Sequence, residues 1–580
     1  MQGMKMTYKL LLMGLLSGMS LFSLFAQSPF DPVYAEKAGN VVDQVQLFTD
    51  RSIYTVNESI HFMAEVRVQG GAEPDSWSSM LYVELVSADG NAMVHEKCRI
   101  TGGRVSASIH IPSGALTGDY LLKAYTRWMR NRDADSFSYT PLKIINPFRN
   151  ELSASSAGKT VQTTPGRVPY REGILACSTS SSEYLAGDDI QIKLSVEEQL
   201  MRQTMVCCVT VVPEGAIDLS EGQYQEGDRK NRQEPFRVSY LPDMGDGLSL
   251  SGSVVDSDQQ PVPYTTLHFS LLGAHPDYYA AISNENGIFN LSSTWGEGKQ
   301  EFFVTPEQYE ARDLEIRIDQ EFDGRPGLSL SGEFSLSEEE IELARKLTLN
   351  MQLSNAYRTV ETSGVKIEQV DDRYRGKEIP FYGTRVKHLM IDDYVRLPNL
   401  EEIFINLVPE VQFYKRKGKT GIRIMSENNS IGVYKPLIMI DNITVFDEEA
   451  LLALSPEKVE RIDLINDIYL KGSVAFGGVL AIYSRKGDMA GIDLPAGSYF
   501  FDLQGIYQDA QETELSPLPG SRIPDTRNTI YWNDEVLVDR ENPVEIPFRA
   551  PATPGNYVIL VRALSPDGEI LSASSRFMVE

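Results

Sequence analysis

Six histidines, four cysteines and a surplus of carboxylates are the residues from which this chain could build a reactive centre. The histidines are His61, His95, His110, His268, His275 and His388. None stands in an HxH or HxxxH spacing, which would put two imidazoles on one face for a metal. Each reads as a strand or surface histidine. Cys98, Cys177, Cys207 and Cys208 form no CxxC pair and no metal-type spacing. Cys207 and Cys208 lie in TMVCCVTVV, the pattern of a buried strand. Adjacent strand residues point to opposite faces, so only one of them could meet Cys177 in a shared core. A Cys177 bridge and four unbridged, buried thiols both stay open. There is no GxSxG elbow, no P-loop and no GxGxxG between strand and helix. Glu338 to Glu340 and Glu448 to Glu449 stand at helix starts, where they favour the helix dipole. Acid–base work needs two carboxylates in different environments, and no such pair is legible. No catalytic residue, metal or cofactor is expected. One cluster stands out for binding. Arg127, Trp128 and Arg130, in TRWMRNRD, are basic and aromatic in an acidic chain. Trp and Arg are enriched in interface hot spots, so these three are the candidate partner contacts.

The elements that would position such residues come from the wider pattern. The 580 residues carry 54 Lys plus Arg against 81 Asp plus Glu, a formal net charge of −27. Phosphate backbones demand a basic face, so nucleic acid is excluded as a partner. Such charge gives solubility first and a docking surface for a basic partner second. Lys5 and Lys9 precede an apolar run from Leu10 to Phe25 that ends at Ala26. That is the form of a secretory signal peptide over 1–26. No Cys lies near the cleavage site and no later segment has 18 consecutive apolar residues, so neither a lipid anchor nor a helical membrane anchor is expected.

Short alternating strands with turn signals dominate 41–148 and predict a β-sandwich. An internal repeat follows. Tyr54, Asn57, Glu58, Ile60, Phe62 and Val66 recur as Tyr184, Gly187, Asp188, Ile190, Ile192 and Val196, offset by 130 throughout. GNYVILVRAL from Gly555 echoes GDYLLKAYT from Gly118. Repeated units of this kind suggest an array of related sandwiches. A Ser/Thr/Gly-rich linker spans 151–168, and 221–235 is a polar loop. Helix appears only later. Ser337 and Glu340 have capping-box spacing, and Ile341, Ala344, Leu347 and Met351 form a packing stripe. A second short helix is expected over 397–411. Strand 436–441, helix 448–454, strand 459–465 and strand 478–485 follow, with Gly477 and Gly478 in a tight turn entering the last strand.

TDRSIYTVNESIHF and LTGDYLLKAYTRWM resemble the MG2 domain of the α2-macroglobulin superfamily, and 167–245 is similar to another macroglobulin-type domain. LSGSVVDSDQQPVPYTTLHFS with SNENGIFNLSS, in 246–320, resembles a carboxypeptidase regulatory-like domain, a transthyretin-like sandwich. After a helical connector over 321–382, residues 383–490 resemble the plug of a TonB-dependent receptor. LPNLEEIFINLVPEVQF, PLIMIDNITV, VERIDLIND and GGVLAIYSRKG carry the likeness, with Glu410 in place of the usual Gly. Residues 491–580 resemble a closing sandwich, and the whole order resembles an exported envelope family of Bacteroidota. The resemblance implies a mainly β chain: an array of macroglobulin/Ig-like and transthyretin-like β-sandwiches plus one α+β plug-like domain. Only 93 residues follow Gly487. A receptor barrel of some 22 strands would need well over ~200 residues, so the plug-like domain is expected without a barrel of its own. Thioester protease trapping is excluded, because no Cys lies in a CGEQ stretch. The expectation is a non-enzymatic envelope scaffold that binds outer-membrane or periplasmic proteins, a barrel or TonB-dependent complex among them. The alternative is an accessory glycan- or peptide-binding component of TonB-dependent uptake.

Overall fold

A computed structural model describes residues 37–580 except 71–76, 154–165, 168–169, 197–204, 220–223, 226–235, 246, 274–275, 295–297, 308–313, 326–327, 329, 331–333, 362–379, 384–385, 417, 427–428, 473, 508–523, 539–542 and 566–567. The expected signal peptide, most of the 151–168 linker and the 221–235 loop, His275 and part of the 321–382 connector lie outside the described residues.

The first sandwich has eight strands: β1 (Val42–Thr49), β2 (Ile53–Thr55), β3 (Ser59–Gln69), β4 (Met80–Ser87), β5 (Ala92–Arg99), β6 (Arg104–His110), β7 (Gly118–Thr126) and β8 (Ser138–Ile145). Its two sheets run β1-β3-β6 and β5-β4-β7-β8, with β2 parallel to β8 and the short strands Tyr224–Gln225 and Gly166–Arg167 continuing the second sheet past β8. Alternation drives the closure. Ile60, Phe62, Ala64 and Val66 on β3 all face the core. Burying such side chains is worth roughly 1.5–3 kcal/mol each for the larger ones.

The chain then lays down β9 (Leu175–Thr179), β10 (Glu183–Tyr184), β11 (Asp189–Val196) and β12 (Met205–Pro213). It leaves to build other units and returns only with four last strands. The excursion begins with a third set of strands, β13 (Gly247–Asp256), β14 (Thr266–Leu271), β15 (Asp277–Ile282), β16 (Ile288–Thr294), β17 (Lys299–Pro306) and β18 (Leu314–Ile318). Helix α1 (Glu338–Glu361) follows. Its capping box is closed: Glu340 N donates to Ser337 Oγ at 3.1 Å and Ser337 N to Glu340 Oε2 at 2.8 Å. Of its expected stripe, Ala344, Leu347 and Met351 are buried and Ile341 is exposed, with Leu343 taking the inward place.

Next comes an α+β module. It contains β19 (Lys387–Met390), α2 (Leu400–Leu407), β20 (Val411–Arg416), β21 (Lys419–Ile424), β22 (Leu437–Ile440), β23 (Ile443–Thr444), α3 (Glu448–Leu452), β24 (Val459–Ile465), β25 (Tyr469–Lys471), β26 (Val474–Phe476) and β27 (Val479–Ser484). Its sheet runs β19-β24-β27-β22-β23. Ile438, Ile440, Ile462, Leu464, Leu480 and Ile482 face the two helices. Leu437, Met439, Val479 and Ala481 face Tyr278 and Ala280 of β15. Gly477 is required where it stands, because a Cβ there would lie 2.4 Å from the Tyr434 carbonyl oxygen. Strand β28 (Tyr499–Gln504) then pairs with β17, so the third sandwich consists of β16-β13-β18 against β15-β14-β17-β28.

The last strands are β29 (Tyr531–Val538), β30 (Val544–Arg549), β31 (Gly555–Leu564) and β32 (Ile570–Val579). They do not form a sandwich of their own. β30 pairs with β11, and β29 and β31 flank β12. The sheets are β9-β11-β30 and β10-β32-β31-β12-β29. This corrects the expectation of one sandwich at 167–245 and another at 491–580: the two segments are halves of one core. Ile190, Ile192, Val209 and Val211 from the first half pack with Ile546, Ile559 and Val561 from the second.

The order reproduces the first sandwich strand for strand, including the parallel pairing of β10 with β32. The local chemistry repeats as well. Asn57 and Gly187 both have positive φ, 66° and 82°, at the turn the repeat marks. Glu58 takes the Thr55 N–H at 2.6 Å, and Asp188 the Leu185 N–H at 2.8 Å. Tyr120 OH donates to the Leu116 carbonyl at 2.8 Å, and Tyr557 OH to that of Thr553 at 2.7 Å. Where β4 and β5 are joined by a tight turn at Asp89 and Gly90, the second copy carries everything from 214 to 530. Val211 and Tyr531 are direct partners across that opening, so the insertion leaves and returns at one point.

The cysteines follow the alternation. All four are free. Cys207 lies in the split sandwich's core, with Cys177 packed against it, whereas Cys208 faces Phe48 and Met63 of the first sandwich. Burial pushes all three of these thiols up to about 12, so they are poor nucleophiles at neutral pH.

Candidate functional site

The Arg127–Trp128–Arg130 cluster is internal. Arg127, Trp128 and Arg130 are 3%, 0% and 4% exposed. Trp128 Nε1 donates to the Val41 carbonyl at 2.9 Å, and its ring meets Trp77 edge-on at 5.0 Å. Arg127 Nη2 donates to Ser251 Oγ at 2.7 Å. Arg130 donates to the carbonyls of Gln320 and Glu321 and lies over the Tyr240 ring at 4.0 Å. The cluster fastens the first sandwich to the third. Trp and Arg do mark an interface here, but both of its sides belong to this chain. The expected partner-contact role is therefore corrected: the anchors are consumed internally.

The same junction buries a polar sheet face. Lys123 pairs with Glu84 at 3.0 Å and donates to the Asp323 carbonyl. Lys97 pairs with Glu321 at 2.5 Å and donates to the Gln504 carbonyl. Burial lowers the Lys97 pKa, and the Glu321 carboxylate pulls against that. Asp243 accepts from Tyr82 OH at 2.9 Å and from Ser249 N; burial raises its pKa despite Arg127 nearby.

Two histidines lie where the α+β module meets other groups. His388 Nδ1 stands 2.7 Å from Asp463 Oδ1, and Tyr382 OH donates to Asp463 Oδ2 at 2.6 Å. Tyr382 OH is also 2.7 Å from Tyr483 OH, and the Arg461 guanidinium lies over the Tyr483 ring at 4.1 Å. An imidazole oriented by a buried carboxylate could act as a general base. Here Oδ1 is held by His388 of β19 and Oδ2 by Tyr382 of the turn before it, whose hydroxyl also meets Tyr483 of β27, which makes the cluster a tie across β19, β24 and β27.

His268 is buried at the junction of the third sandwich with the module. Its Nδ1 is 2.6 Å from Tyr278 OH, its ring faces Phe446 and Phe476, and Nε2 has no hydrogen-bond partner among the described residues. Burial pushes its pKa from 6.5 down to about 4. The unfolded chain takes this proton near 6.5 and the folded chain only near 4. Stability from the neutral ring is therefore complete above pH 6.5 and falls as pH drops toward 4, by up to about 3 kcal/mol. Denaturation midpoints at pH 7 and pH 4.5 should separate more for the native chain than for His268→Gln. Equal separations would contradict this reading.

Among the described residues no group of three or more His, Cys, Asp or Glu could hold a metal. What the module does offer is exposed apolar surface. Ten of the twenty-two large apolar side chains exposed among the described residues fall between Met390 and Leu470. Val395, Val433 and Leu470 are 85%, 79% and 71% exposed. The module's own core is already closed on both faces of its sheet, so folding does not require these residues outside. A groove of about 580 Å³ lies elsewhere, between α1 and the split sandwich, lined by Glu214, Glu339, Lys346, Asn350 and Tyr557. One feature escaped the sequence reading: Lys415, Arg416, Lys417 and Lys419 place four cations in five positions of an acidic chain. A local charge count would have found it.

No family model matches this chain, and no curated protein matches it. Among solved structures, the α2-macroglobulin of Escherichia coli activated by porcine elastase aligns over 93% of this chain and 44% of its own, at 10% identity and TM-score 0.23. The Salmonella α2-macroglobulin reacted with methylamine aligns over 93% and 39%, at 8% identity and TM-score 0.22. Dimeric latent PorU from Porphyromonas gingivalis aligns over 93% and 34%, at 8% identity and TM-score 0.13. The chain spans less than half the length of each. TM-scores at this level carry no argument, and the mainly β, multi-sandwich architecture rests on the strand pairings themselves. No helix among the described residues is long and apolar enough to cross a membrane.

Proposed function

We propose that this chain is a non-catalytic scaffold of the cell envelope that binds outer-membrane or periplasmic proteins through the module at 383–490, a β-barrel protein among them. The observation that carries the reading is the concentration of exposed large apolar side chains on this one module, with Val395, Val433 and Leu470 foremost. Apolar surface beyond the needs of a core marks interaction sites. The likeness of this segment to a receptor plug supports a barrel as one such partner.

Mild cross-linking in cells followed by purification from outer membranes tests it. Partner proteins should copurify, and Val395→Asp with Val433→Asp should remove them. Substitutions at such exposed positions shift stability by only about 0.5 kcal/mol, so the fold should survive. A soluble chain without partners, or capture indifferent to both substitutions, would overturn the reading.

The groove beside α1 favours a second reading, an accessory glycan- or peptide-binding component of an uptake system. Its volume, about 580 Å³, is that of a ligand site. A ligand bound only by the folded state raises the melting temperature. A screen of glycans and peptides that leaves it unmoved would remove this alternative.

A further inference from the structure

The hairpin β20–β21 forms a two-stranded sheet of its own. Val411, Ile422 and Ile424 bury its inner side against α2 and α3. Tyr414 pairs with Gly421 and Gln412 with Arg423. Side chains alternate along a strand, so Tyr414, Arg423 and Lys419 share the outward side. Arg423 Nη2 donates to Gln412 Oε1 at 3.0 Å, which holds the guanidinium along that surface. A Cβ at position 421 would lie 2.4 Å from the Tyr414 ring. The ring thus lies flat across the opposite strand, in the space that only glycine leaves. Lys419 is exposed on this side at the tip, and Lys415, also exposed, opposes Thr420 at the other edge of the same tip.

These cations are not neutralised. No carboxylate pairs with Lys415, Lys419 or Arg423 among the described residues. The acids beside the hairpin have other partners: Glu449 Oε1 accepts from Thr420 N at 3.1 Å, Glu448 Oε2 accepts from Ile422 N at 2.8 Å, and Glu410 at its start pairs with Lys387 at 2.9 Å. The result is an exposed aromatic plate flanked by Lys419 and Arg423, with Lys415 at the tip, on a chain of net charge −27.

We propose that this face docks the protein on the anionic, phosphate-bearing surface of a lipid bilayer. Lysine and arginine near such a surface each gain about fivefold in binding. Tyrosine is at home at the depth of the headgroups, with its ring in the apolar boundary and its hydroxyl in water. A ring laid flat on a two-stranded sheet suits a surface better than a single anionic ligand. The remaining acidic surface is repelled by an anionic bilayer, so attachment through the hairpin also fixes orientation. Docking of this kind is independent of which protein the module binds.

Co-sedimentation of the full mature chain with vesicles of mixed phosphatidylcholine and phosphatidylglycerol tests the proposal. Binding should require phosphatidylglycerol and weaken as salt rises. The triple variant Lys415→Glu, Lys419→Glu, Arg423→Glu should bind on the order of a hundredfold more weakly. Its thermal midpoint should match the native one, since all three side chains lie at the surface. No binding by the native chain, equal binding to phosphatidylcholine alone, or full binding by the triple variant would overturn it. Retention on polyglutamate without binding to vesicles would overturn it in favour of an acidic protein surface. Partner capture through Val395 and Val433 is read separately, so either claim can fail alone.

Discussion

Replacing Arg51 by Met should cost about 3–5 kcal/mol of stability, the loss expected when one member of a buried ion cluster is removed. Arg51 is 2% exposed, and its guanidinium stands 3.3 Å from Asp50 and 3.1 Å from Glu58. Burial alone would raise the Asp50 pKa, but Arg51 beside it holds the carboxyl below its ordinary value. Asp50 also accepts from Tyr54 OH at 2.6 Å, from His61 N at 3.0 Å and from the Thr529 hydroxyl. Glu58 accepts from Asn528 Nδ2 at 2.6 Å, and Asn528 Nδ2 in turn reaches the Leu347 carbonyl of α1. Arg51 thus neutralises the point where the first sandwich, the return of the insertion and α1 meet. Without it, Asp50, fully buried, and Glu58, largely buried, lose their shared counter-charge. Removing Asp50 charge as well, in Arg51→Met with Asp50→Asn, should cost less than the single change, because a pair removed together leaves less uncompensated charge. Urea unfolding checks both. A single-variant loss below about 1 kcal/mol would mean that water reaches the cluster.

Deleting 531–580 should unfold the segment 175–213 as well. β11 and β12 bury Ile190, Ile192, Val209 and Val211 in a core shared with Val536, Ile546, Ile559 and Val561 of the last segment. Without them, β9 and β11 keep only each other and β10 and β12 lose every ladder partner, leaving an open apolar face that is too little for independent stability. Limited proteolysis should cut 175–213 in the shortened chain and spare it in the native one. The first sandwich should lose part of its support too, since Arg562 Nη2 donates to the Thr49 carbonyl at 2.6 Å and Cys208 covers Phe48. A protected 175–213 in the deletion variant would favour two separate sandwiches instead.

Much of the fold is written in local pattern. Asn57 and Gly187 announce a left-handed turn, and the alternation after each announces the strand that follows. Ser337 with Glu340 caps the helix it promises. The split sandwich is not local. A strand pair whose members lie more than three hundred residues apart leaves no periodicity in either segment. The echo of Gly118 at Gly555 did hold the clue. It matches the seventh strand of the first sandwich, and no fresh set of six precedes it in the tail. The binding cluster was misplaced for a related reason. Arg127, Trp128 and Arg130 have the composition of an interface, but composition does not say whose surface lies opposite. The carbonyls of Gln320 and Glu321 fill that place, and they are invisible to any reading of side-chain types. The basic hairpin was legible and lay in a stretch read for its helix and its turns.

The central claim is that one sandwich is assembled from two segments with the whole insertion between them. Lys193 and Glu545 are direct partners across β11 and β30, both exposed, with Nζ and Oε1 3.4 Å apart. Cysteines placed there, as Lys193→Cys with Glu545→Cys, should oxidise to a disulfide within one chain, visible as a peptide cross-link by mass spectrometry and absent after reduction. Directly opposed strand positions lie about 4.5–5.5 Å apart, within reach of that bond. Two thiols that stay free, or that link only between chains, would show that the halves do not share a sheet.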